Sequence, residues 1–463
     1  MDLELVVTPG LGDNSYVLAS GDEAVIVDPQ RDAGRFLALA ESKGLTVRHV
    51  LETHVHNDYV SGAVEIRAAT GAEIVAPAGG GYAFQHRGVA EGAEVTVGDI
   101  RLVAMETPGH TPEHLSYLVY ERSDAPVAVF TGGSLMVGGA GRTDLLGEDV
   151  AEELTRAQYR TLRRLASLPD SVQVLATHGA GSFCGSGPAP PERVSTMMEE
   201  RRRNRALALP DEESFVRRQL TGLLAYPTYY RHMAAINRRG PRLLANMPRP
   251  RPLSAEEVEA RMASGARLVD GRDRAAFASA HIPGSINVEL SGSFASYVGW
   301  MVPFDWSVAL VIPEPEAVWL EEAVTALLRV GYERLEGYLE GGVESWRASG
   351  RPVRSYPVAT VEDLCEAYHS GAEPSVLDVR QQREWDRGHI PGSIHRFVAD
   401  LPGRLDDLPR DRELWVACST GNRSSIAASL LDGAGFTVRS VVKGGVADWL
   451  KLCPPDQPAD GRP

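Results

Sequence analysis

His281-Ile-Pro-Gly-Ser-Ile286 recurs as His389-Ile-Pro-Gly-Ser-Ile394. Six identical residues in a row mark an internal repeat. The surroundings recur as well. Leu268-Val-Asp270 answers to Val376-Leu-Asp378, and Gly341-Gly-Val-Glu-Ser-Trp346 to Gly444-Gly-Val-Ala-Asp-Trp449. Each copy mixes short β-branched runs with helical patterns. Residues 252–352 and 355–455 therefore read as two tandem α/β domains.

The copies differ where chemistry is expected. In the second, Trp415-Val-Ala-Cys418 reads as a strand end, Ser419 to Ser424 as a polar loop and Ser425 to Leu431 as a helix. A thiol between a strand end and a helix N-terminus meets loop N–H groups and the helix dipole, which favour negative charge on sulfur. Arg423 adds a fixed cation with a planar fork. Ser419, Thr420, Gly421, Asn422 and Ser424 complete an anion cradle. Sulfur transfer needs a thiolate to attack a sulfane sulfur and a cradle for the resulting Cys–S–S⁻.

Cys-x4-Arg alone also fits phosphatases. With Asp378-Val-Arg380 and His389 to Ile394 beside it, the segment resembles the rhodanese family. The short Cys418-to-Arg423 loop is that family's sulfurtransferase form, since its phosphatase-like members have a longer loop. His389 is expected to be structural. The first copy resembles a rhodanese domain too, but Ser307-Val-Ala-Leu-Val-Ile312-Pro313-Glu314 holds no cysteine. It reads as a silent copy that packs against the active one or shapes its entrance.

Upstream, strands are expected at 15–18, 24–28, 47–51, 73–76, 100–104, 115–119, 127–130 and 172–176, with helices at 34–41 and 151–168. Thr53-His54-Val-His56-Asn-Asp58-Tyr59 follows one of these strands. Two imidazoles at i and i+2, with a carboxylate two further on, can converge on a metal from a loop. Thr107-Pro-Gly-His110-Thr-Pro-Glu-His114 adds a third imidazole, and Thr177-His178-Gly179 a fourth. Together these segments resemble the metallo-β-lactamase fold, an αββα sandwich over residues 1–245. A breaker-rich loop at 185–191, a charged helix through 199–203 and a proline-rich linker at 248–252 close the domain.

Phe130-Thr-Gly-Gly-Ser-Leu135 and Gly141-Arg-Thr-Asp144-Leu145 resemble the persulfide dioxygenase branch of that fold, which uses one ferrous ion. The resemblance implies His54 and His110 as iron ligands. Its third ligand, an aspartate, falls at Gly133, which has no side chain to offer. Tyr59 stands where the broader fold has a histidine. His54, His56 and His110 would complete a three-histidine site. Asp58 and His178 are left as remnants of a second site or as hydrogen-bonding neighbours. Asp144 is not expected to replace the lost carboxylate. The set suits one Fe(II), or Zn(II) as the alternative, better than a pair of ions. Cys184 lies in a loop where the fusions that this chain resembles carry a cysteine; it reads either as a relay thiol or as a loop residue without chemistry.

The whole chain thus resembles a persulfide dioxygenase joined to a sulfurtransferase. The expected partners are a low-molecular-weight persulfide, such as glutathione persulfide, with sulfite or thiosulfate. Two alternatives stand beside this: a sulfurtransferase with a metal-free scaffold, and a mononuclear zinc hydrolase acting on a thioester. A net charge of −15 argues against nucleic-acid and anionic-membrane partners. The acidic N-terminus lacks a signal peptide's basic start and apolar run, so a cytoplasmic protein is expected, either a monomer or a homo-oligomer. Four cysteines in 463 residues give no disulfide framework, and Cys365 and Cys453 receive no role.

Overall fold

The structure is a computed structural model that describes residues 1–187, 189–221, 223–247 and 249–453. Positions 188 and 248 of the two expected breaker segments, and the expected domain end at 455, lie outside these residues. The chain divides into two compact units: residues 1–247 with 325–331, and the remainder.

The first unit contains two six-stranded sheets. One runs in the order Asp2–Thr8, Asp13–Ser20, Glu23–Val27, Thr46–Leu51, Glu73–Pro77, Arg87–Val89. The other runs Val194–Thr196, Gln173–Ala176, Ala128–Gly132, Leu115–Tyr120, Ile100–Glu106, Glu94–Val97. Period-two alternation assigns each side chain to a layer. Tyr16, Leu18, Val25 and Val27 pack between the sheets with Leu102, Tyr117 and Phe130. Val17, Ala19, Ala24 and Ile26 face outward onto Phe36 and Ala40 of helix Gly34–Ser42 and Ile66 of helix Ala63–Thr70. Val129 and Val174 face Leu162 and Leu165 of helix Glu148–Leu165. This is the expected αββα sandwich, with helices on both outer faces.

The second unit holds the two repeats. The first has an all-parallel sheet ordered Pro252–Leu253, Leu335–Leu339, Val308–Val311, Arg267–Asp270, Ile286–Asn287. The second has the same order in Val358–Thr360, Val438–Lys443, Leu414–Ala417, Ser375–Asp378, Ile394–His395. Val311 pairs with Asp270 as Ala417 pairs with Asp378. Ile312 therefore occupies the place of Cys418, as the repeat predicts.

Two expectations need correction. The helix after Cys418 spans Asn422–Gly433, so Asn422, Arg423 and Ser424 belong to its first turn and not to a loop. Cys365 and Cys453 form a disulfide with a Cα–Cα distance of 5.7 Å. Helices Val361–His369 and Val446–Leu452 pack together and bring these two cysteines side by side. Among the described residues no helix is long and apolar enough to cross a membrane.

Candidate functional site

In the second repeat the strand Leu414–Ala417 delivers Cys418 to the N-terminus of helix Asn422–Gly433. The thiol is buried, and the Gly421 N–H lies 3.1 Å from Sγ. Gly421 must be glycine: its φ is +94°, and a side chain there would collide with Val442 O. Arg423 donates to both carboxylate oxygens of Glu384 (2.5 and 2.8 Å) and to Ser419 Oγ (2.8 Å). Although burial acts against it, this partnership holds the Glu384 carboxyl down at about 2. Arg423 is thus a braced cation beside the thiol rather than a free one. Ser424 Oγ is buried with no hydrogen-bond partner. His389 stacks on Trp385 at 3.7 Å between ring centres and does not belong to the cradle.

The first repeat, expected to pack against the active one or shape its entrance, does so through residues that the sequence did not single out. Arg274 donates to Thr420 O (2.7 Å), and Asn422 donates to Ser293 Oγ (3.2 Å). Ser425 Oγ donates to Asn287 Oδ1 (2.5 Å). Burial, opposed by nearby Arg423, pushes the Tyr297 phenol up to about 12. No pattern in the sequence of the first repeat pointed to these residues.

In the first unit, loops at the ends of strands bring the histidine segments together. Leu115 N–H donates to Thr53 O (2.8 Å), and Asn14 N–H donates to Thr177 O (2.7 Å). Asp28 anchors the centre. It accepts from Thr53 N–H and Thr53 Oγ1 (2.8 and 2.7 Å), and from Thr177 Oγ1. The rings of His54, His56, His110, His114 and His178 are all buried. His54 lies 4.3 Å from His56, 5.0 Å from His110 and 4.8 Å from His114 between ring centres.

Ligand atoms converge in overlapping sets. Those of His54, His56 and His178 lie within 4.8 Å of one another, as do those of His110, His178 and Cys184. His178 joins both sets, a more central place than the remnant role read from the sequence. Its Nδ1 faces Asp13 (2.9 Å) and Asp58 (3.1 Å), and its Nε2 lies 3.4 Å from His54 Nε2. Burial opposes charge on His178, yet Asp58 and Asp13 raise it to about 10. His56 Nε2 faces Glu52 (2.9 Å), Asp28 (3.3 Å) and the Tyr59 hydroxyl (3.1 Å). That leaves His56 Nδ1 without a partner. His110 Nδ1 donates to Arg142 O (2.7 Å), and its Nε2 is likewise without a partner. Burial and neighbouring imidazoles push His54 well below its usual range, and burial with His178 pushes His110 down to about 3. His54 and His110 are therefore neutral near pH 7 and ready to ligate, whereas Asp28 and Glu52 hold His56, and Asp58 and Asp13 hold His178, in the protonated form that an ion must displace.

These residues fit a metal ion. Buried ring nitrogens face a common space, while the opposite nitrogens are held by carboxylates, a hydroxyl or a carbonyl. They fit a second ion poorly. Tyr59 OH is engaged with Asp28 O (3.1 Å) and His56, and Asp144 is bound by Arg142 through two 2.7 Å contacts. The glycine at 133 offers no ligand and is also a packing requirement. A side chain there would run into the His110 ring, and one at 132 into His114 and Thr53. His114, given no role from sequence, accepts from Gly133 N–H at 3.0 Å and stacks on His54. Burial, with Asp58 and Asp13 close by, pushes the Cys184 thiol up.

The model of the metallo-β-lactamase superfamily matches residues 8–178. The rhodanese-like domain model matches 254–349 and 360–452. A hydroxyacylglutathione hydrolase of Cereibacter sphaeroides is 37% identical over 188 residues, 38% of this chain and 67% of that relative. One from Rhodospirillum rubrum is 40% identical over 174 residues, 36% and 63% of the two chains. A crystal structure of a metallo-β-lactamase from Staphylococcus aureus subsp. aureus COL has a TM-score of 0.67 at 27% identity, covering 73% of this chain and 98% of that one. This chain belongs to the metallo-β-lactamase superfamily and carries two rhodanese-like domains after its lactamase-fold domain.

Proposed function

We propose that this enzyme oxidises a low-molecular-weight persulfide in its N-terminal domain and moves sulfane sulfur through Cys418. The observation that carries this reading is the Cys418 thiol at a strand–helix junction, with the Gly421 N–H on its sulfur. In transfer, the Cys418 thiolate attacks the outer sulfur of the donor. A new S–S bond forms, the donor's S–S bond breaks, and its electron pair leaves with sulfite or a thiolate. An acceptor then takes the outer sulfur and returns Cys418 as thiolate. The Gly421 N–H and the first turn of the helix hold the terminal negative charge, and the braced Arg423 draws the anion in.

In the oxidation, one persulfide, one dioxygen and one water give one thiol, one sulfite and two protons. Dioxygen is the oxidant and the outer sulfur is oxidised. His54 and His110, with His56 and His178 beside them, would hold Fe(II), which supplies the redox-active centre for this step. The chain's own residues fix the rings: Asp28 and Glu52 hold His56, and Asp13 and Asp58 hold His178. The lack of a histidine at Tyr59 and of a carboxylate at Gly133 supports one ion over two.

A second reading is hydrolysis of a glutathione thioester with Zn(II), favoured by relatives whose name is hydroxyacylglutathione hydrolase. Oxygen uptake with glutathione persulfide separates the two. Sulfite formed in step with oxygen consumed, and lost on metal removal, is the expected result. Thioester hydrolysis restored by Zn(II), with no oxygen uptake under Fe(II), overturns the dioxygenase reading. Sulfur transfer alone, unchanged by metal, leaves the first unit as a scaffold and overturns it too.

A further inference from the structure

The Gly141–Arg142 segment positions two candidate ligands at once. Arg142 O accepts from His110 Nδ1 at 2.7 Å, which turns His110 Nε2 toward the site without a partner. The N–H of the same residue donates to Cys184 O at 2.7 Å. Gly141 bridges Gly185 as in an antiparallel pair, and Ser186 N–H donates to Ala140 O at 3.1 Å. The Arg142 guanidinium also donates to Phe183 O at 3.2 Å. The loop carrying Cys184 is therefore bonded on both sides of the cysteine. Its sulfur is fully buried and within 4.8 Å of ring nitrogens of His110 and His178.

We propose that Cys184 is a ligand of the N-terminal metal ion, joining His110 and His178 and supplying the negative charge that Gly133 cannot. This rests on the metal-binding part of the function proposed above, not on which reaction the ion serves. Loss of a carboxylate leaves a divalent ion with imidazoles as its other ligands here, and His178 gives up its proton as the ion binds. A thiolate restores one negative charge from another loop, and the thiol proton leaves to solvent as the ion binds. Sulfur also changes the preference of the site. Imidazole with thiolate suits Zn(II), Co(II) and Fe(II) and disfavours hard ions such as Mg(II) and Ca(II). The packing of His110 over Gly133 explains why the charge has to come from elsewhere.

Cobalt spectroscopy tests this without an activity assay. The parent is Cys418→Ser, so that with Cys365 paired to Cys453 the remaining thiol is Cys184. Co(II)-loaded parent protein should show visible d–d bands and a near-ultraviolet sulfur-to-cobalt charge-transfer band. Adding Cys184→Ala should remove the charge-transfer band, keep the d–d bands and weaken Co(II) binding on the order of 10-fold or more. Visible bands without charge transfer in the parent overturn the role of Cys184 and need no second variant to fold. A charge-transfer band that survives Cys184→Ala overturns it equally. Absence of all cobalt bands from the parent overturns metal binding by the domain, a separable failure that removes this inference with it.

Discussion

In the first repeat the strand Val308–Val311 runs on into Ile312 and Pro313; in the second, Leu414–Ala417 runs on into Cys418 and turns into a helix. Around that point the frameworks correspond. Asp270 grips Arg272, which donates onward to Ala280 O (2.9 Å). Asp378 grips Arg380, which donates onward to Gly388 O (2.8 Å). Each repeat histidine stacks on the aromatic residue four positions before it, His281 on Phe277 and His389 on Trp385. What differs is the loop and its brace: Glu384 supports Arg423, whereas Ala276 stands at the corresponding place in the first repeat. The shared sequence thus builds the sheet, and the chemistry rests on the residues that are not shared. The silent repeat still touches the active loop through Arg274, and the first turn of the helix after it through Ser293 and Asn287.

The sharpest way to break this contrast is Cys418→Ser. Thiosulfate-to-cyanide transfer should fall by about 10³-fold or more, because no thiol remains in the cradle. Activity within a few-fold of wild type would place the nucleophile elsewhere. The shared framework is tested next by Asp378→Ala and Asp270→Ala, each followed by denaturant unfolding. Each leaves a guanidinium without its buried partner, at a cost of about 3–5 kcal/mol. Asp378→Ala should cost more, because Arg380 is 6% exposed and Arg272 18%. The reverse order would show that the two frameworks are not equivalent.

Glu384→Gln probes the brace that only the active repeat has. Transfer should fall about 10-fold as Arg423 loses its fixed position. The wild-type Glu384 carboxyl lies at about 2 in the folded chain, below its unfolded value. The pair's contribution to stability is thus fully present above about pH 4.5 and is lost as pH falls toward 2. An acid-unfolding profile unaltered by Glu384→Gln would contradict this. The smallest effect is expected from Arg274→Ala in the silent repeat. It removes one hydrogen bond to the loop, worth about 1 kcal/mol, and should raise KM a few-fold with kcat little changed. No change in KM would make that repeat a packing partner alone.

Much of the architecture was legible because it rests on local pattern. The duplicated His-Ile-Pro-Gly-Ser-Ile and Leu/Val-Asp segments set two sheets of one strand order. The alternating runs around Tyr16 and Val25 set the layers of the sandwich. Histidines at three strand ends were readable as one site because such ends meet at one edge of a sandwich. The start of the helix at Asn422 was not readable. Asn422 and Ser424, on either side of Arg423, look like loop residues, since short polar side chains compete with helical hydrogen bonds. The Cys365–Cys453 pair is separated by 88 residues and depends on two helices packing. The place of Cys184 depends on a bridge between Gly141 and Gly185 that no local pattern announces. The carboxylates Asp13, Asp28 and Glu52 carry no spacing signal, yet they orient His178 and His56. His114 was in view within a quoted motif, but its support of Gly133 is a tertiary contact.

The central claim is that sulfane sulfur resides on Cys418 during turnover. Mass spectrometry of the protein treated with thiosulfate and kept from reductants tests it most directly. The account predicts one added sulfur atom on the peptide containing Cys418, removed by cyanide. An unmodified Cys418, or the added sulfur on Cys184 instead, would contradict it.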